Sequence, residues 1–76
     1  MYVLVSLDGL QVGIGDEEVG SVFLARLARP ITPTDWVEIV ERHFRGGSPE
    51  DGWSDLAADE AVSKYGGSRL IYQGEA

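Results

Sequence analysis

The chain lacks cysteine, holds one histidine and three prolines, and carries six Lys plus Arg against thirteen Asp plus Glu. Without cysteine, and with His43 as the sole imidazole, neither a disulfide staple nor a structural zinc site is available, and no metal or cofactor is expected. No apolar run approaches a membrane span. The N-terminal stretch Met1 to Leu7 has no basic segment before it and stops at Asp8, so neither a secretory signal nor a membrane segment is expected. A cytoplasmic location is the corresponding expectation. The shortage of bases leaves a formal net charge of −7, which disfavours direct binding to nucleic acid, although Arg26, Arg29, Arg42 and Arg45 are candidates for a local basic patch.

What is present suits one small domain. Hydrophobic residues make up 43% of the 76, enough to build a core, so residues 1–76 are expected to form a single unit stabilised by packing, caps and turns. Tyr2 to Leu7 and Leu10 to Ile14 form two β-prone runs around Asp8-Gly9, a dipeptide suited to the positive φ of a type I′ hairpin turn. Leu10, Val12 and Ile14 alternate with Gln11 and Gly13, which predicts one buried face. The first run is apolar on both sides, which predicts the more central strand.

Residues 15–30 admit two readings. As a helix, Val19, Val22, Phe23 and Leu27 share a face, but Arg26 interrupts it and Gly20 costs about 1 kcal/mol in an early turn. As a strand, Val22, Leu24 and Ala28 face one way and Phe23, Ala25 and Leu27 the other. The strand is preferred for its Val-Phe-Leu run.

Two helices follow. Thr32-Pro33-Thr34-Asp35 supplies an N-cap hydroxyl, a Pro at the first helical position and an acid in the first turn, and Trp36, Val37, Ile39, Val40 and Phe44 recur at helical spacing up to Gly46-Gly47. The second helix starts either at Ser48 or at Ser54, with Trp53, Leu56, Ala57, Ala61 and Tyr65 on its apolar side and Gly66-Gly67 at its end. Ser68 to Gln73 closes the chain as a short strand. The predicted fold is α+β, with a three- or four-stranded, mainly antiparallel sheet, two helices packed on one face, and the order β-β-β-α-α-β. The predicted core is Val3, Val5, Leu7, Val12, Ile14, Phe23, Trp36, Val37, Val40, Phe44, Leu56, Ala61, Leu70 and Tyr72.

No catalytic motif emerges. Gly13-Ile14-Gly15 departs from a phosphate loop because the next glycine is Gly20, no lysine follows, and Asp16, Glu17 and Glu18 repel phosphate. Asp51, Asp55, Asp59 and Glu60 lack the alternation of a calcium loop. His43 lies beside Arg42 and Arg45, where positive charge complements a helix C-terminus, and no serine stands in a nucleophile-elbow sequence. The protein is therefore not expected to be an enzyme. Trp36 is expected in the core, whereas Trp53, next to Gly52 and among acids, suits either a core lid or an interface anchor.

The acids stand out. From Glu50 to Glu60 there are five acids and no base, and Asp16-Glu17-Glu18 forms a second block. On a helix, Asp51, Asp55 and Asp59 are spaced i, i+4, i+8 along one face with a rise of about 6 Å between them, close to the spacing of phosphates along a nucleic-acid strand. One reading is a solubilising helix face. The other is an electronegative ridge that docks on a basic groove.

In size and character, with the acidic block Glu50, Asp51, Asp55, Asp59 and Glu60, the chain resembles the small acidic inhibitor proteins of phages and mobile elements, particularly anti-CRISPR proteins. The resemblance is one of kind and includes no shared motif. It implies a stoichiometric binder without catalysis. Taken with the acidic ridge, the expectation is a monomer that binds a type I-like CRISPR surveillance complex and blocks its target DNA, the ridge acting either as a DNA mimic or as a surface that meets a basic protein face. The contact residues expected from charge placement are Asp16, Glu17, Glu18, Glu50, Asp51, Trp53, Asp55, Asp59 and Glu60. The alternatives are a small antitoxin or regulatory subunit that neutralises a basic partner, and a homo-oligomer paired through the terminal strand.

Overall fold

The computed structural model describes residues 1–18, 20–44 and 52–70. Its elements follow in the order β1 (Tyr2–Val5), β2 (Gln11–Asp16), β3 (Gly20–Leu27), α1 (Pro33–His43), α2 (Trp53–Tyr65) and β4 (Gly67–Arg69). The strands form one antiparallel sheet in the order β1-β2-β3-β4. The α+β class, the element order and the strand over 20–27 are thus as the sequence predicts. The expected terminal strand is shorter, at three residues. Its continuation through Gln73 and the core position of Tyr72 lie outside the described residues.

The first connection departs from a two-residue turn. Gly9 alone takes a positive φ, 75°. Ser6 and Asp8 reorganise the loop: the Ser6 hydroxyl donates to Asp8 Oδ1 at 2.7 Å, and the Leu10 amide donates to the same oxygen at 3.0 Å. These bonds hold the Asp8 carboxyl below its ordinary pKa, the Ser6 hydroxyl foremost. The loop therefore spans five residues and lifts Leu7 fully into solvent, away from the core position expected for it.

β1 is an edge strand, contrary to the central position that its apolarity suggests. Val3 and Val5 pack inward, while Leu4 stands opposite Gly13 and Tyr2 opposite Gly15. Both glycines lack side chains, which leaves room beside them: Leu4 is half-buried there, whereas Tyr2 lies over Gly15 and stays exposed. The Tyr2 hydroxyl reaches across Gly15 to Ser21 Oγ at 3.1 Å.

A bulge sets the inward face of β3. Val12 pairs with Ala25 but Gly13 pairs with Phe23, so Leu24 is an extra residue and the side-chain alternation reverses there. Val22, Ala25 and Leu27 consequently face the helices, and Phe23, expected in the core, is left 38% exposed. Gly13 fits the bulge because a Cβ would lie 2.2 Å from the Val22 carbonyl oxygen. Its own carbonyl accepts a 2.9 Å hydrogen bond from Trp36 Nε1, which satisfies the one polar atom of a fully buried indole.

α1 begins as its sequence dictates: Thr32 Oγ1 accepts from the Asp35 amide at 3.1 Å and Pro33 opens the helix. Trp36, Ile39 and Val40 fill the core, while Val37, expected there, is half-buried. Phe44 caps the helix in extended conformation and remains 36% exposed. α2 starts after Gly52, one residue before Ser54, and buries Trp53, Ser54, Ala57, Ala58 and Ala61; the alternative start at Ser48 lies outside the described residues. Leu56 points outward, 56% exposed, because small residues rather than large ones form the helix face that meets the sheet. Leu70 is half-buried, and its amide donates to the Leu24 carbonyl at 2.9 Å.

Candidate functional site

The helices orient the acids. The Ala28 amide donates to the Gly66 carbonyl, and Arg69 stands opposite Ala25, so α2 ends beside the end of β3. Its thirteen residues span about 19 Å, which sends Trp53 back toward the Gly20 end of the sheet. α1 leaves the other end, where the Ile31 amide donates to Gly9, and finishes with Phe44 beside Met1 and Tyr2. Tyr2, the Asp16–Glu18 turn, Phe44 and Trp53 therefore gather at one end of the molecule.

The acids on α2 form a clamp rather than an open ridge. Arg69, on the helix-facing side of β4, donates from its two terminal nitrogens to Asp55 Oδ1 at 2.7 Å and Asp59 Oδ1 at 3.0 Å. Burial is the largest influence on this guanidinium and works against its charge, but the two carboxylates outweigh it and raise its pKa. Asp55 and Asp59 keep side-chain exposures of 63% and 60%, so each still presents an oxygen to solvent. Between the helices, Glu60 bonds with Arg42 and meets His43 Nε2 at 2.8 Å. The Arg42 hydrogen bond, then that of His43, holds the Glu60 carboxyl below its usual range. His43 lies in the last turn of α1, where the sequence places it, and links α1 to α2 through Glu60.

The second acidic block stands apart from these clamps. Asp16 ends β2 and its Oδ1 accepts from the Glu18 amide at 2.8 Å, which fixes the turn. Glu17 and Glu18 are exposed. With Met1 and Tyr2, the three acids line an open hollow of about 520 Å³. Beside it, a groove of about 380 Å³ runs between β1 and α1, over Val3, Val37, Val40 and Phe44, with Glu41 on its lining.

The nine expected contact residues divide accordingly. Asp16, Glu17 and Glu18 lie together, Asp55 and Asp59 share Arg69, and Glu60 joins the two helices. Trp53 is 4% exposed and Phe44 meets it edge-on at 5.0 Å, so the interior holds the indole and the core-lid alternative describes it. Glu50 and Asp51 lie outside the described residues. The arginines do not converge: Arg26 is on the outer sheet face, Arg29 stacks 6.0 Å from the Tyr65 ring, Arg42 engages Glu60, and Arg45 lies outside the described residues.

The β1–α1 groove was not apparent from the sequence. Its only signal was the half-apolar character of Val37 and Phe44 at the edge of the α1 stripe. Among the described residues no group of three His, Asp or Glu is placed to hold a metal, and no helix is long and apolar enough to cross a membrane. Comparison of the chain with family models, curated proteins and solved structures returns no match.

Proposed function

We propose that the protein is a non-catalytic inhibitor of the anti-CRISPR kind, acting in a bacterial cytoplasm, whose acidic surface occupies the Lys/Arg-rich DNA path of a type I-like surveillance complex. The observation that carries this reading is the Asp16-Glu17-Glu18 turn, with Glu17 and Glu18 exposed, on a domain of net charge −7, supplemented by the solvent-facing oxygens of Asp55 and Asp59. Surface carboxylates of this kind accelerate encounter with a basic groove and set its orientation, while adjoining apolar surface slows dissociation. Tyr2, Phe44 and the β1–α1 groove supply that apolar surface at the same end of the molecule.

Pull-down of tagged protein from a lysate containing CRISPR effectors, followed by a mobility-shift assay on the recovered complex, tests the reading. Recovery of a surveillance complex that no longer shifts its target DNA is the expected result. Recovery with DNA binding intact moves the inhibited step to nuclease recruitment. Recovery of no effector overturns the anti-CRISPR assignment. The open edge of β1 favours the second reading, an antitoxin or regulatory subunit that neutralises a basic partner, and capture of such a protein in place of an effector supports it.

A further inference from the structure

We propose that the open edge of β1 and the groove beside it take up an extended, basic segment of a partner protein as a fifth strand, with its Lys or Arg side chains over Glu17 and Glu18. The inference rests on the basic-partner reading above and adds the manner of contact.

The backbone of β1 is set for this addition. The Ser6 amide donates to the Gln11 carbonyl at 3.0 Å and the Gln11 amide donates to Ser6 Oγ at 2.9 Å, so Ser6 and Gln11 face each other in the hydrogen-bonding phase of the ladder. Antiparallel pairs alternate, so Leu4–Gly13 and Tyr2–Gly15 are hydrogen-bonded as well, and Val3 and Val5 turn their N–H and C=O groups away from β2 toward the edge. Sheet edges are ordinarily guarded by charge, proline or a bulge. Tyr2-Val3-Leu4-Val5 has none of these, and its register with β2 is uninterrupted.

The surroundings specify the occupant. An added strand directs alternate side chains to the face of Val3 and Val5, into the groove floored by Val37 and Val40 and ended by Phe44. The groove runs into the hollow of Asp16, Glu17 and Glu18, with Met1 and Tyr2 common to both. Together the two linings carry four carboxylates and no Lys or Arg, against the single amino group of Met1. A segment that alternates apolar residues and carries a basic end satisfies both halves. A second copy of this chain does not, because its β1 carries no Lys or Arg and brings only the one amino group of Met1 beside it, against the two carboxylates of Glu17 and Glu18.

The test is a titration of the ¹⁵N-labelled full chain with a capped peptide of alternating valine and threonine, flanked at each end by two lysines. A counterpart flanked by glutamates serves as control. The lysine peptide is expected to shift the amides of Val3 and Val5 and slow their hydrogen exchange, and to perturb Val37 and Phe44. Glu17→Lys/Glu18→Lys should weaken it by about tenfold, and Val3→Pro, which removes an outward donor, should abolish the exchange protection. Equal binding of the glutamate peptide, shifts confined to Leu4 and Phe23 on the outer face, or no shift at millimolar peptide would each overturn the proposal. Should Val3→Pro fail to fold, the charge-reversal pair decides. A partner captured by Val3→Pro but not by Glu17→Lys/Glu18→Lys overturns strand addition and leaves the acidic-binder reading standing. Peptide binding without any basic partner in the lysate does the reverse.

Discussion

The two sides of the sheet hold their helices differently. Over β3 and β4, α2 settles on Ala57, Ala58 and Ala61, all fully buried, and Arg69 ties its acids to the sheet. Over β1, α1 buries Trp36, Ile39 and Val40 but leaves an open apolar groove with carboxylates at its end. Small side chains allow a helix to approach closely and shut out solvent, and acids there become fasteners. Larger, half-buried side chains leave room, and Glu17 and Glu18 beside that room are exposed to solvent. One residue type therefore serves cohesion on one side and faces solvent at an open groove on the other.

The largest expected effect lies on the closed side. Ala61→Leu adds three carbon atoms where no space remains and should lower stability by about 3 kcal/mol in urea unfolding. A change below half that value would show that α2 is as loosely seated as α1. Next, Arg69→Met releases Asp55 and Asp59, four residues apart on one helix face, and should cost about 1 kcal/mol at low salt, less as salt screens the pairs. No loss would mean that the clamp is decorative and that these acids belong with the contact surface.

A smaller effect concerns pH. Glu60 has a pKa in the folded state below its ordinary value, so it contributes stability above the unfolded value of about 4.3, and this is lost as pH falls through the lower folded value. Glu60→Gln should flatten that part of the stability curve, measured by thermal melts across the acid range. An unchanged acid limb would remove Glu60 from the link between α1 and α2. The smallest effect on stability belongs to Glu17→Lys/Glu18→Lys. Exposed turn residues should leave it within about 0.5 kcal/mol, while the same variant should lose partner binding.

The legible parts of the fold were those written in local chemistry. Thr32, Pro33 and Asp35 announce α1, and the Val-Phe-Leu run of β3 outweighs the acidic turn before it. The bulge at Leu24 was invisible because strict alternation puts Phe23 and Ala25 on one face, and the registry is set by Gly13 and Trp36, distant in sequence. Two-sided apolarity made β1 look central, since nothing in its own residues reveals that it lies beside two glycines. Leu56 was misplaced because size, usually a guide to the inner face, points the wrong way on a helix seated on alanines. Of the acids, charge count marks out both blocks in the sequence, although Glu50 and Asp51 lie outside the described residues. Their division was hidden because Arg69 and Arg42 come from other elements, and only the folded chain brings them to α2.

The most direct measurement of that division is capture of a basic partner from CRISPR-containing lysate by wild type, Glu17→Lys/Glu18→Lys and Asp55→Asn/Asp59→Asn, each verified as folded by circular dichroism. Strong loss with the turn variant and a lesser loss with the α2 variant is the predicted result. Undiminished capture by the turn variant would contradict the account.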